Sequence, residues 1–338
     1  MQNQSAQKNM NNEDNPLERL STLLDADMKE VNRLILENMQ SDVVLIPRLA
    51  QYLIAAGGKR IRPLLTLAST ALFNGPMGQS YNLAAAVEFI HTATLLHDDV
   101  VDESFERRGK KTANLVFGNQ ASVLVGDFLF SKAFLMMVES GSLEILRILS
   151  EASAIIAQGE VLQLVTTNDT ETKMPAYLDV IESKTAALFA ASCEVGALLS
   201  DQNENTVSDL REYGMKLGTA FQIIDDALDY AADQTKLGKE IGDDFKEGKM
   251  TAPVIFAMEN ANQEEQDFWN RTLGEKNQNE NDFDHALSLI NKHGALERTI
   301  NLAKKYAGEA TQCLSNAPDN EYKHLLSGLT HYTITRSF

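Results

Sequence analysis

Two aspartate triplets with the same spacing stand out: Asp98-Asp99-Val100-Val101-Asp102 and Asp225-Asp226-Ala227-Leu228-Asp229. Each lies in an apolar run of helical character. Residues four apart on a helix share a face, with Cβ atoms roughly 5–6 Å apart. Asp98 therefore stands with Asp102, and Asp225 with Asp229. Each pair repels itself unless a cation lies between its members. Mg²⁺ suits such a site because it takes one or two carboxylates and fills its other positions with water and substrate phosphate.

A metal-bound anion also needs fixed positive charge, and the chain gathers it locally despite a formal net charge of −18. That overall sign argues against nucleic acid as a partner. Lys59, Arg60 and Arg62 lie in Gly57-Gly58-Lys59-Arg60-Ile61-Arg62-Pro63, between a helix stop and a helix start. Backbone amides at a helix start, together with basic side chains, make an anion site. A second cluster, Arg107-Arg108-Gly109-Lys110-Lys111, follows the first aspartate triplet closely. Lys184-Thr185, Lys239 and Lys249 add candidates, although a single lysine is more often a surface residue. Acid pairs beside basic clusters imply an enzyme that joins a divalent metal to a diphosphate.

The elements that must hold these groups are helical. Asn15-Pro16 reads as a helix start. Leu17, Leu20, Leu24, Met28, Val31 and Ile35 then recur at three- and four-residue steps. Pro47 and Pro63 open further helices, ended by Gly57-Gly58 and by Gly75-Pro76. Long segments with few breakers cover 81–103, 121–139, 143–164, 176–199, 205–231 and 283–315. Each aspartate triplet falls toward the C-terminal end of its segment. Strand-type alternation is scarce, so the fold class is all-α. Residues 261–282 read as a helix end and surface loop. Residues 1–14 are polar and read as disordered, leaving 15–338 as a single all-helical domain.

A hydrophobic content of 43% supplies a sizeable core. Cys193 and Cys313, far apart and without metal-ligand spacing, fit a reducing cytoplasm. The N-terminal residues contain no apolar signal-type run, and no uninterrupted apolar stretch reaches the ~18–20 residues of a membrane span.

The motifs Gly57-Gly58-Lys59-Arg60-Ile61-Arg62-Pro63, Leu95-Leu96-His97-Asp98-Asp99 through Asp102 with Arg107-Arg108-Gly109, Ser183-Lys184-Thr185, Gly218-Thr219-Ala220-Phe221-Gln222 through Asp229-Tyr230, and Leu237-Gly238-Lys239 through Asp243-Asp244 occur in a specific order. In that order they resemble the trans-type polyprenyl diphosphate synthases, and within them the bacterial octaprenyl diphosphate synthases. The likeness runs from about residue 17 almost to the C-terminus. It implies an isoprenoid-synthase-type helical bundle around a deep central cavity, Mg²⁺ as cofactor, a homodimer, and quinone side chains as the destination of the product.

The resemblance also implies residue roles. Asp98, Asp102 and Asp225 would hold Mg²⁺, with Asp99, Asp226 and Asp229 helping in a second shell or through water. Arg107, Lys184, Thr185, Gln222 and Lys239 would grip the allylic diphosphate. Lys59, Arg62, His91 and Arg108 would hold the diphosphate of isopentenyl diphosphate. Arg60 and Lys249 are weaker candidates, with a surface charge as the plain alternative for Arg60. His91 lies two helical turns before Asp98 on the same face, whereas His97 reads as a core histidine. Ala93 and Thr94, one turn before Asp98, are small enough to leave an apolar tunnel open for a long product. Met136 and Met137 are candidates for its floor, though a Met pair is more often ordinary core.

One departure stands out: Met250 lies between Lys249 and Thr251, where the family often has Pro or Arg. Three other readings are weaker. A class I terpene cyclase usually replaces the second aspartate triplet, which is intact here. An HD-type phosphohydrolase leaves that triplet and both basic clusters without a use. A non-catalytic regulatory subunit would be expected to lose aspartates or arginines, and none is missing.

Overall fold

The computed structural model describes residues 15–55, 57–107, 109–231 and 242–335. The expectation of disorder over 1–14, and the candidates Arg108 and Lys239, lie outside the described residues. Helix dominates, as the sequence pattern predicts. In chain order the elements are α1 Pro16–Leu23, α2 Asp25–Asn38, α3 Leu45–Ala55, α4 Ile61–Leu72 and α5 Met77–Val101. A small hairpin of β1 Glu106–Arg107 and β2 Lys110–Lys111 leads to α6 Ala113–Phe117, α7 Asn119–Glu139 and α8 Leu143–Thr166. Then come α9 Met174–Ile181, a π-helical turn Glu182–Ala186, α10 Ala187–Leu199 and α11 Glu204–Asp229. The remainder is α12 Asp243–Glu247, α13 Ala252–Met258, α14 Gln263–Trp269, a second π turn Asn270–Gly274, α15 Asp282–Lys292, α16 Ala295–Cys313 and α17 Glu321–Thr335.

The described residues form two compact units. The first draws on the described residues within 1–153, 188–214 and 310–332; the second on those within 154–187, 215–309 and 333–338. In the first unit α5 is the central rod. Its residues from Leu83 to Ile90 are all buried, and a helix apolar on every side belongs inside a core. It packs most extensively on α7, then on α4 and α2. Helix α4 is buried throughout from Pro63 to Leu72.

The second unit is built around Trp269, packed with Phe245, Phe268, Leu273, Ile223 and Ile224. This corrects the reading of 261–282 as a helix end and loop. Helix α14 is started by a reciprocal capping box: Asn262 Oδ1 accepts from the Glu265 amide at 3.0 Å, and Glu265 Oε2 accepts from the Asn262 amide at 3.0 Å. Phe268, Trp269 and Leu273 are too few to show a period, yet they supply the core. Two other long segments are also interrupted. The π turn at Glu182–Ala186 divides 176–199, and a break between Lys292 and Ala295 divides 283–315.

As the sequence reading expects, the described helices include no uninterrupted apolar run of span length. Helices α7 and α8 reach the length and mean hydropathy of a span, with 39% and 33% of the qualifying stretches buried, but charged residues interrupt both. Scattered polar residues such as Asp127 and Lys132 break the apolar run without lowering its mean hydropathy enough. On α7 the side chains of Leu124, Phe134, Leu135 and Val138 are exposed.

Candidate active site

The first aspartate triplet closes α5. Asp102 is the C-cap, its amide donating to the Asp98 carbonyl at 2.8 Å, and the Ser104 amide donates to the Asp99 carbonyl at 3.0 Å. Glu103 takes the left-handed conformation, φ 51°, that turns the chain away. The carboxylates therefore stand at the negative pole of the helix, where acidic groups are disfavoured and a cation is welcome. Asp98 and Asp102 are half-buried. Asp99 is buried and accepts on Oδ1 from Arg107 Nε at 2.8 Å and Nη2 at 2.7 Å. Burial pushes the Asp99 carboxyl up, and Arg107 opposes that rise. The β1–β2 hairpin is what brings Arg107 back to the helix it follows.

The second triplet closes α11 with the same sequence pattern and a different structure. Asp225 is half-buried. Asp226 is buried, accepting on Oδ2 from Tyr177 Oη at 2.6 Å and on Oδ1 from Gln222 Nε2 at 2.8 Å. Burial pushes its carboxyl up to about 6, against the pull of those two donors. Asp229 accepts from the amides of Gly242, Asp243 and Asp244 at 3.2, 3.3 and 3.0 Å. Both of its oxygens thus seat the start of α12. Asp244, one turn along, is pushed well up by burial and by the charges of Asp226 and Asp229.

Lys184 and Thr185 sit in the π turn that follows α9. A wide turn of this kind is frequent at functional sites. Here α8 crosses it at Gly159, where a Cβ would lie 2.8 Å from both the Lys184 amide nitrogen and Ser183 Cβ. Only glycine admits that approach. Lys184 Nζ reaches Glu160 at 2.8 Å. The Thr185 hydroxyl donates to Gln222 Oε1 at 2.9 Å.

The basic residues ahead of α4 are less uniform than their spacing suggests. Lys59 is exposed, 5.8 Å from the centre of the Tyr332 ring. Arg62 lies 3.1 Å from His91 Nε2 and 4.7 Å over the Phe189 ring. Arg60 is largely buried against Glu88, contrary to the surface-charge alternative. It also holds the left-handed turn, φ 48°, that starts α4. Arg60, His91, Asp99, Arg107 and Lys111 line one cleft in the first unit. Lys249 pairs with Glu247, and Met250 is buried. Ala93 is fully buried, and the Thr94 hydroxyl donates to the His91 carbonyl at 2.8 Å. Met136 and Met137 are buried on α7.

Taken unit by unit, the donor chemistry fits Mg²⁺: hard, half-exposed carboxylate oxygens at the negative end of a helix. In the first unit these are Asp98 and Asp102 at the end of α5, and in the second Asp225 near the end of α11. Among the described residues no three His, Cys, Asp or Glu side chains gather closely enough to hold an ion alone. A pair or single carboxylate suits a cation that completes its shell with water and phosphate. His97, read from sequence as a core residue, is half-buried instead. Its Nε2 lies 3.1 Å from the Val123 carbonyl and 3.4 Å from Asp127, over Gly126, where a Cβ would lie 2.3 Å from the ring.

Three residues escaped the sequence pattern, Glu88, Glu160 and Tyr177, while Asp244 stood in a motif without a role of its own. A charged residue inside the run Ala84-Ala85-Ala86-Val87-Glu88-Phe89-Ile90 was a readable signal for Glu88, since burying an acid demands a partner. Nothing in the linear sequence marked Tyr177, whose partner Asp226 is far along the chain.

The chain matches the polyprenyl synthetase family over residues 43–290. It is 45% identical over 320 residues to octaprenyl diphosphate synthase of Escherichia coli (strain K12), covering 95% of this chain and 99% of the relative. Among solved structures it is similar to a polyprenyl synthase from Caulobacter crescentus CB15 complexed with calcium and isoprenyl diphosphate. That likeness has 49% identity and a TM-score of 0.92 over 96% of this chain and 98% of the other. A decaprenyl diphosphate synthase from Rhodobacter capsulatus is similar at 47% identity and a TM-score of 0.90, over 95% and 99% of the two chains.

Proposed function

This chain belongs to the polyprenyl synthetase family, and from that premise we propose how its residues divide the work. It is a trans-prenyltransferase that condenses isopentenyl diphosphate units onto an allylic diphosphate to make a long-chain all-trans polyprenyl diphosphate. We take the product to be octaprenyl diphosphate, farnesyl diphosphate to be the primer, and quinone side chains to be the use. The observation that carries the product reading is the 45% identity to the E. coli octaprenyl enzyme over almost the whole of both chains.

Breaking the allylic C–O bond leaves negative charge on diphosphate and positive charge on carbon. Enzymes of this family are generally metal-dependent, and we assign Mg²⁺ to Asp98, Asp102 and Asp225. When bound, it supplies charge stabilisation at the leaving diphosphate. Asp99, Asp226 and Asp229 are each tied to protein donors, which supports roles in holding the motifs rather than in direct ligation. Arg107, Lys184, Thr185 and Gln222, together with Lys239, are assigned to the allylic diphosphate, where fixed cations and donors act as charge develops. Lys59, Arg62 and His91, together with Arg108, are assigned to the diphosphate of isopentenyl diphosphate. The contact between Arg62 and His91 supports that grouping. Its double bond then attacks the allylic carbon, and a proton leaves C2 of the new unit to the released diphosphate. Ala93 and Thr94 are assigned to the wall of the product tunnel.

We further propose a homodimer, supported by the exposed Leu124, Phe134, Leu135 and Val138 on α7, and a cytoplasmic location, supported by two cysteines that form no disulfide. Each compact unit draws on separate stretches of chain, which supports reading 15–338 as one catalytic domain. The test is to incubate pure protein with Mg²⁺, farnesyl diphosphate and labelled isopentenyl diphosphate and to size the products. Octaprenyl diphosphate as the main product supports the reading. A cyclised hydrocarbon or no elongation would overturn it.

A further inference from the structure

The second unit contains a hydrogen-bonded chain that links the π turn to the second aspartate triplet. Thr185 Oγ1 donates to Gln222 Oε1 at 2.9 Å, and Gln222 Nε2 donates to Asp226 Oδ1 at 2.8 Å. Tyr177 Oη donates to Asp226 Oδ2 at 2.6 Å. Tyr177, Thr185 and Asp226 are buried, at 3%, 8% and 5% exposure.

The polarity of this chain follows from its acceptor. An ionised carboxylate only accepts, so Gln222 must turn its amide NH₂ toward Asp226 and its oxygen toward Thr185. The Thr185 hydrogen is then tied to Gln222, so the donor this chain can still offer an anion is the second hydrogen of the Gln222 amide. The Tyr177 phenol is the donor that holds the other oxygen of Asp226. Its removal leaves a buried carboxylate oxygen without that donor, a costly state that the carboxylate relieves by turning. Turning Asp226 releases the Gln222 amide.

We propose that Tyr177 is a positioning residue of the prenyl-transfer reaction, acting through Asp226 to fix the orientation of the Gln222 amide, which Thr185 braces from its other side. The effect on substrate rests on the assignment of Thr185 and Gln222 to the allylic diphosphate. The Tyr177 hydroxyl donates to Asp226, and its ring packs in the buried cluster of the second unit with Ile223 and Ile224. Tyr177→Phe therefore removes the donor and keeps the packing.

The test is a double-mutant cycle of Tyr177→Phe and Thr185→Val, reading KM for each diphosphate, kcat and the melting temperature. Tyr177→Phe is expected to weaken the use of farnesyl diphosphate by roughly ten- to a hundredfold, the scale of a lost bond to a charged group. KM for isopentenyl diphosphate should stay within about twofold, since uniform loss of binding is not expected there. The double variant should be no worse than the worse single, because both cut one chain. If Thr185→Val alone leaves farnesyl kinetics unchanged while Tyr177→Phe impairs them, Thr185 leaves the allylic site and the role of Tyr177 through Asp226 stands. Multiplying effects, equal losses for both substrates, or a lowered melting temperature with unchanged kinetics each overturn the proposal. Should Tyr177→Phe not fold, Asp226→Asn presents an NH₂ to one of the two donors. A farnesyl-selective loss there supports the chain, and an unselective loss overturns it.

Discussion

Arg107 turns both Nε and Nη2 onto one oxygen of Asp99, at 2.8 and 2.7 Å, although β1 and the end of α5 are separated by a turn. The middle acid of the first triplet is thus paired inside the protein, while its neighbours Asp98 and Asp102 remain half-buried. A buried pair adds little net stability, but breaking one is expensive because a charge is left behind. Asp99→Asn should lower the melting temperature and reduce kcat/KM for farnesyl diphosphate by about tenfold or more, the cost of weakening a charge-assisted bond. Steady-state kinetics with calorimetric melting checks this, and an unchanged kcat/KM would detach Arg107 from the allylic site.

Asp98 and Asp225 sit at the negative poles of α5 and α11, so removing either relieves repulsion in the metal-free protein. Asp98→Ala and Asp225→Ala should each cut Mg²⁺-dependent turnover by roughly a thousandfold, or about 4 kcal/mol, with the melting temperature unchanged or raised. Near-normal turnover in either variant would remove that residue from the metal site.

Gly159 lets α8 meet the π turn. In Gly159→Ala the added Cβ would lie 2.8 Å from the Lys184 amide nitrogen, so the turn must move. Overpacking of this kind costs roughly 1–3 kcal/mol. Weaker use of farnesyl diphosphate is expected together with lower stability, read by KM and thermal melting. Wild-type values for both would show that the turn adapts freely.

Acid should loosen the second unit through two carboxylates. Lys292, with the Asn262 amide and His293, holds Glu265 down to about 2, against the opposing effect of burial. Arg271 holds Asp282 down to about 2 in the same way, through a two-point contact at 2.8 Å on each oxygen. Both values lie below those of the unfolded chain, so the stabilisation is fully present above the ordinary carboxylate range. It is lost as pH falls through that range toward about 2. Melting curves between neutral and acidic pH should show this fall, and Glu265→Gln with Asp282→Asn should flatten it.

Ala93 is fully buried in the central rod of the first unit. Ala93→Tyr should shorten the main product, at a stability cost of about 1–3 kcal/mol from overpacking. Chromatographic sizing of labelled products decides, and an unchanged length distribution would take Ala93 out of the tunnel.

Helix content, the ends of most long helices and the two aspartate triplets were legible because they depend on local spacing. Asn15-Pro16 starts α1 as its residue types require, and the Leu17 to Ile35 period does face a core. Helix α14 was missed because its capping box and three large apolar residues carry no repeat. The two readings of Arg60 could not be separated in sequence because its partner, Glu88, lies in another helix. His97 was misread because Gly126 opens a place for it on α7.

Residue type and spacing alone determined that two acid sets and neighbouring basic clusters would call for a divalent metal and a diphosphate. Tertiary structure decided which donors each acid meets. Identical triplets diverge because a carboxylate's role depends on the donors that packing brings to it. Arg107 reaches Asp99, Tyr177 and Gln222 reach Asp226, and three backbone amides reach Asp229. Several of those donors lie far away in the chain, so only the folded protein brings them within bonding distance.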